Sequence, residues 1–284
     1  MRTLLMGARG MLGRDITQEW PAEELVPVDS GDADIRDIDQ VRRLVSKVRP
    51  QWVLLTAAYT DVDGSESNKE RAFAVNAQGS ENVARVASEV GAAVFYVSTD
   101  YVFDGTSSRP YETTDRLHPL NVYGASKAAG ELAVQKFAHH WCIARTSWLF
   151  GASGSSFPEK ILRASESRPE LTVVSDQIGS PTFTRDLSSA MRSLVASNAQ
   201  GIVHITNSGT CSWFEFAQEV LQQAGRSVIR VRPILAAEIA RPAARPAYSV
   251  LSPKSLEQYG ITMRHWKEAV SVYLQDLRTA GKLS

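Results

Sequence analysis

Short apolar runs recur through the first half of the chain: TLLM (3–6), ELVPV (24–28), WVLLTAA (52–58), AVFYVS (93–98) and WCIART (141–146). They are rich in Val, Leu and Ile and hydrophobic on both faces, the pattern of strands buried inside a parallel sheet. Amphipathic stretches lie between them. In DIDQVRRLVSKV (37–48), Ile38, Val41, Leu44, Val45 and Val48 recur at helical spacing, and Val75, Val83, Val86, Ala87 and Val90 continue such a pattern from Ala72 to Val90. Strand and helix in alternation predict an α/β fold built on a Rossmann-like, doubly wound parallel sheet. After about residue 150 Pro, Gly and Ser interrupt the rhythm, as in GASGSSFPEK and DQIGSPTFTRD. A helix at Asp186–Ser197 and a strand at IVHIT (202–206) then rejoin the sheet. Ser212 and Glu215 have capping-box spacing before FAQEVLQQAG, and a last helix is predicted near His265–Leu277. The expected division is a core of residues 1–149 and 182–206, with a smaller, partly interleaved region of 150–181 and 207–284 that shapes a second pocket.

Composition narrows the function classes. Lys plus Arg and Asp plus Glu number 31 each among 284 residues, so net charge attracts neither a nucleic-acid polymer nor an anionic membrane. No apolar run is long enough to cross a bilayer, and MRTLLMGARG enters a glycine turn without a signal peptide's apolar core, so a cytoplasmic location is expected. Cys142 and Cys211 stand far apart, and the five histidines form no metal-binding cluster.

GARGMLG places Gly7, Gly10 and Gly13 three apart, between the first strand and a helix. Glycines there permit a tight turn, close approach to a pyrophosphate and close packing of helix on sheet, while the helix N-terminus offers free N–H groups to phosphates. Asp29 ends the second strand, where an acidic residue accepts from an adenosine ribose, which leans towards NAD. Arg9 and Arg36 stand where they can pair with the 2′-phosphate of NADP, and Asp34 and Ile35 where they can flank the adenine. The cofactor expectation is therefore NADPH or NADH.

In NVYGASKAAGE (121–131) Tyr123 and Lys127 lie four apart, on one face if 123–137 is helical. A tyrosine of ordinary pKa, about 10, is a poor catalyst at neutral pH, and a nearby ammonium favours its charged form. STDYVFDG (98–105) follows the fourth strand, at the carboxyl edge where open parallel sheets bind ligands. Thr99 there supplies a hydroxyl to a substrate oxygen and the tyrosine, and Asp100 a fixed acceptor.

These residues resemble the extended short-chain dehydrogenase/reductase superfamily, and within it the dTDP-4-dehydrorhamnose reductase family, over nearly the whole chain. AAYTDVDGSE (57–66), AVNAQGSENVA (74–84), RTSWLFG (145–151), GSPTFTRDL (179–187) and RPAYSVLS (245–252) carry the likeness further, the last two most specifically. The resemblance implies NAD(P)H-dependent reduction of the C4 ketone of a dTDP-6-deoxy-hexulose, with a dTDP-sugar as partner and deoxysugar or polysaccharide biosynthesis as setting. It makes the core the dinucleotide-binding domain and the smaller region the sugar-nucleotide domain. Tyr123, Lys127 and Thr99 would be catalytic, with the ammonium keeping the phenol's pKa low. Gly7, Gly10, Met11, Leu12, Gly13, Asp29, Asp34, Ile35, Ala57, Ala58, Tyr59 and Val97 would line the cofactor, and Thr99, Asp100 and Trp148 would contact the sugar nucleotide. Some members bind Mg²⁺ through carboxylates at a homodimer contact, and Asp15 holds a comparable place. Epimerases, dehydratases and a regulatory subunit of methionine adenosyltransferase share related folds.

Overall fold

A computed structural model describes residues 1–283. The chain opens with strand β1 (Thr3–Met6), helix α1 (Met11–Glu19), strand β2 (Leu25–Val28), helix α2 (Ile38–Val48) and strand β3 (Trp52–Leu55). Short helices α3 (Val62–Ser67) and α4 (Lys69–Phe73) and a π-helical turn (Ala74–Gly79) lead into α5 (Ser80–Glu89). β4 (Ala93–Thr99), α6 (Val122–Phe137) and β5 (Trp141–Thr146) complete the first half. The second half holds β6 (Leu149–Phe150), α7 (Phe157–Ala164), β7 (Glu170–Val174), β8 (Ile178–Gly179), β9 (Thr182–Phe183) and α8 (Thr184–Ala196). After these come β10 (Gly201–His204), β11 (Cys211–Ser212), α9 (Trp213–Gln223), β12 (Arg230–Ile234), α10 (Lys254–Glu257) and α11 (Trp266–Thr279).

Six parallel strands form the central sheet in the order β2-β1-β3-β4-β5-β10. Alternate strand residues enter two cores, because side chains of a strand point to opposite faces. Leu5, Leu54 and Phe95 meet α1 and α8 through Leu12, Ile16, Leu187 and Met191. Leu4, Met6, Val53 and Tyr96 meet α2, α5 and α6 through Val41, Val45, Val83 and Val134. Strand order reverses between β1 and β3, opening the crevice outside their carboxyl ends where ligands of such sheets bind. A third core, around Phe150, Phe183, Phe216, Trp266 and Tyr273, joins α9 and α11 to β6 and β9. No helix among the described residues is long and apolar enough to cross a membrane.

Several boundaries differ from the sequence pattern. WVLLTAA is strand only to Leu55, because the Thr56 and Ala57 amides both turn onto the Met6 carbonyl. The helical pattern from Ala72 to Val90 is broken by the π-helical turn, within which Asn76 is buried and Gly79 packs onto Ile35. The helix expected from Asp186 begins at Thr184, and the strand expected over 202–206 ends at His204. The Ser212–Glu215 capping box forms as the spacing predicts.

Candidate active site

The glycine turn runs straight from β1 into α1. Gly7 has φ +105°, and a Cβ there would come within 2.6 Å of the Ala57 amide at the end of β3. At Gly13 a Cβ would collide with the Gly7 carbonyl and come within 2.8 Å of Ala8 Cα. Gly10, the N-cap of helix α1, provides no side-chain cap, so the first amides of the helix face the crevice unclaimed by a side chain. These features fit the pyrophosphate of a dinucleotide.

One cavity of about 710 Å³ extends from this turn past Thr99 and Tyr123 to Trp148. Of the site residues named from the sequence, all line it except Arg9, Asp15 and Tyr59. Tyr59 stands beside the wall, its backbone clamped by Asn76: the Tyr59 amide donates to Asn76 Oδ1 (2.8 Å), and Asn76 Nδ2 donates to the Tyr59 carbonyl (3.0 Å). The same Nδ2 donates to Ser126 Oγ, whose hydroxyl donates to the Tyr123 carbonyl, linking the end of β3 to the catalytic-motif helix. Asn76 escaped the residue-by-residue reading, although its segment AVNAQG carries part of the family likeness. Trp213 also lines the cavity and was not anticipated; the signal was the aromatic run WFEF that opens the helix directly after its Ser212 cap.

At the end of β2, Asp29 Oδ2 accepts from the Arg9 amide (2.9 Å) and Oδ1 from the Ser30 amide (2.8 Å). Burial raises its pKa, but these hydrogen bonds outweigh burial and hold the carboxyl below its usual range. Asp29 thus braces the glycine turn as well as facing the cavity. Arg36 forms a bidentate pair with Asp34, which lowers the Asp34 pKa.

Helix α6, capped by the Asn121 side chain on the Gly124 amide, carries Tyr123 and Lys127 into the cavity. Burial pushes the Tyr123 phenol up to about 12, the Thr99 hydroxyl opposes this, and the Asp100 charge adds to the rise. The expectation that Lys127 holds the phenol down is corrected here. Lys127 Nζ donates to the Val97 carbonyl (2.7 Å) and lies 4.0 Å from the Tyr96 ring centroid. Burial takes its own pKa down to about 7, against the attraction of Glu131. Behind it Glu131 accepts from Ser98 Oγ (2.5 Å) and pairs with Arg145 (2.7 Å), both charges almost wholly buried.

Asp100 also departs from the fixed acceptor that the sequence suggested. It is 2% exposed, and burial raises its pKa to about 7, with Ser249 and Thr99 opposing. Thr99 Oγ1 donates to Asp100 Oδ1 (3.0 Å) and accepts from the Tyr101 amide, while Asp100 Oδ2 has no partner. Near neutrality Asp100 therefore exists partly as a neutral acid that can donate.

Trp148 has φ +49°, a left-handed conformation that costs a non-glycine residue roughly 1–2 kcal/mol. Its indole stacks on that of Trp213, with centroids 3.5 Å apart and planes at 8°.

The Mg²⁺ expectation finds no matching donor set. Asp15 is buried and accepts from Thr184 Oγ1. The nearby carboxylates of Glu19 and Asp276 are bridged by the Arg185 guanidinium, at 2.7 and 2.9 Å. No group of three or more His, Cys, Asp or Glu comes together as a metal site among the described residues.

Comparison with known proteins agrees with this geometry. A family model described as the RmlD substrate binding domain matches residues 1–279. A dTDP-4-dehydrorhamnose reductase of Mycobacterium tuberculosis (strain ATCC 25618 / H37Rv) is 39% identical over 282 residues, covering 96% of this chain and 92% of the relative. The chain belongs to the dTDP-4-dehydrorhamnose reductase family. Membership extends to the fold. The structure of dTDP-4-dehydrorhamnose reductase from Bacillus anthracis str. Ames, in complex with NADP, superimposes with a TM-score of 0.94 at 38% identity, covering 97% of this chain and 99% of that one. Family members differ in the sugar they are named for. A dTDP-4-keto-6-deoxy-D-glucose reductase of Streptomyces niveus is 37% identical over 274 residues, covering 95% of each chain.

Proposed function

We propose that this protein is an NAD(P)H-dependent sugar-nucleotide ketoreductase that converts dTDP-4-dehydro-6-deoxy-L-mannose (dTDP-4-dehydrorhamnose) to dTDP-L-rhamnose. The observation that carries the reading is the placement of Thr99, Tyr123 and Lys127 in the same cavity as the glycine turn, in a chain 39% identical to a named reductase. The bound nicotinamide would supply hydride to the C4 ketone. All other chemistry falls to the chain's own groups. Tyr123, neutral with a pKa of about 12, holds the proton that the developing alkoxide needs. Thr99 shares the growing charge through its hydroxyl when a protonated Asp100 donates to Oγ1, the reverse of the bond in which Thr99 donates to Asp100, and so frees the Thr99 proton for the substrate. Lys127, anchored on the Val97 carbonyl, orients the ribose of the cofactor.

Among the nicotinamides, NADPH is the favoured donor in this reading. Asp29 spends acceptor capacity on the glycine turn, Arg36 lines the same end of the cavity, and the Arg9 charge acts on Asp29. Residues 1–149 with 182–206 would hold the dinucleotide, and 150–181 with 207–284 the sugar nucleotide.

The test supplies dTDP-4-dehydrorhamnose and reduced cofactor, follows cofactor oxidation by absorbance and identifies the product by NMR. Stoichiometric oxidation with dTDP-L-rhamnose as product is expected. Turnover without net oxidation would replace the reading by an epimerase or dehydratase, which regenerates its bound cofactor. The Streptomyces niveus relative favours one second reading, reduction of dTDP-4-keto-6-deoxy-D-glucose; faster turnover of that sugar in the same assay would establish it.

A further inference from the structure

Trp148, two residues beyond β5, and Trp213, the first residue of α9, both line the cavity that holds Tyr123 and Lys127. Their arrangement bears two separate marks of strain. The Trp148 backbone is left-handed, and the two rings lie almost face to face at 3.5 Å, an overlap that aromatic quadrupoles disfavour relative to offset or edge contacts. Strain of this kind persists only where surrounding structure over-determines it.

That structure is visible on two sides of the Trp148 indole. Along one edge the Trp148 indole lies over Gly179, where a Cβ would come within 2.5 Å of Cε2. Trp213 covers one face. Phe157 in turn supports Trp213 at a centroid distance of 4.6 Å and 55°. Neither tryptophan is fully buried, and Trp213 sits at the edge of the third core rather than inside it. A residue needed only for packing has no reason to hold its neighbour's ring in a strained pose at a cavity wall. A sugar ring, by contrast, carries faces of C–H groups that pack on an indole, and packing of this kind orients the ring without hydrogen bonds.

We propose that Trp213 is a positioning residue for the sugar: stacked on Trp148, it holds that indole as the wall against which the hexulose ring lies, so that the ketone faces Tyr123. The inference rests on the sugar-nucleotide reading given above. It assigns a role in substrate orientation to a residue of the second half of the chain that would itself act through Trp148.

The experiment compares Trp213→Phe with Trp213→Leu in the NADPH-dependent reduction of dTDP-4-dehydrorhamnose. Melting temperature, NADPH affinity and the circular-dichroism exciton signal of the stacked indoles are measured alongside. Trp213→Phe keeps an aromatic face and is expected to retain kcat/KM within a few-fold. Trp213→Leu keeps apolar bulk without that face and is expected to lose roughly tenfold in kcat/KM, the scale of one aromatic pair, with NADPH affinity unchanged. Both variants lose the exciton signal, so only activity separates them. Equal activities of the Phe and Leu variants, or a fall in NADPH affinity matching the fall in kcat/KM, would overturn the proposal while leaving the reductase reading intact. A wild-type protein that oxidises no cofactor with either dTDP-keto sugar would overturn both.

Discussion

Burial keeps Tyr123 a neutral phenol at neutral pH. With its pKa at about 12, Tyr123→Phe is expected to cut kcat by at least a hundredfold and leave NADPH affinity unchanged, as measured by stopped-flow turnover and fluorescence titration. Its two buried neighbours give opposite pH signatures. Asp100 titrates at 3.8 when unfolded and at about 7 when folded, so the folded chain holds an extra proton between those values. Stability contributed by Asp100 therefore falls as pH rises through that window. Lys127 moves from 10.5 down to about 7, so the folded chain holds fewer protons between those values, and stability rises with pH there. Asp100→Asn is expected to remove the first slope and Lys127→Met the second, read from denaturant midpoints at stepped pH. An Asp100→Asn profile that overlays the wild type between pH 4 and 7 would show that the carboxyl titrates normally. The identities of Tyr123, Lys127, Thr99 and Asp100 were legible from local motifs. Their protonation was not, because it depends on burial and on partners distant in sequence, such as Tyr96 beside Lys127 and Ser249 beside Asp100.

At the scale of single elements, the β1–α1 turn was the most legible feature, since its glycines must stand at set spacing for the helix to approach the sheet. Gly13→Ala is expected to weaken NADPH binding at least tenfold, because the new methyl collides with the Gly7 carbonyl inside the turn itself. Unchanged affinity in an isothermal titration would mean that the turn does not cradle the cofactor. The segment from α4 to α5 was less legible. Apolar spacing continues through it, but the π-helical turn that puts Asn76 against Tyr59 and Ser126 arises from contacts with two other segments. A periodic pattern records which face is buried and carries no mark of an inserted residue.

Across the whole molecule, Arg185 at the start of α8 bridges Glu19 on α1 and Asp276 on α11, joining the sheet's helical layer to the third core. The pairs are partly solvent-exposed, so Arg185→Ala is expected to lower stability by about 1 kcal/mol in urea unfolding. Treatment with EDTA is expected to leave both stability and turnover unchanged. Loss of activity on chelation, restored by Mg²⁺, would instead place a metal in the working enzyme. Saturation with NADPH at about 100 times its Kd is expected to stabilise the fold by about 2.7 kcal/mol, seen as a rise in melting temperature.

The sequence by itself determined the parallel sheet, the glycine turn and the helix that sets Tyr123 and Lys127 on one face, because each follows from spacing within one strand, helix or turn. Tertiary structure alone decided that Lys127 anchors on the Val97 carbonyl, that Asp100 is partly protonated near neutrality, that Asp15 has a hydroxyl for a partner, and that Trp213 lies against Trp148. These outcomes depend on burial and on contacts between segments far apart along the chain, and neither quantity is written in local spacing.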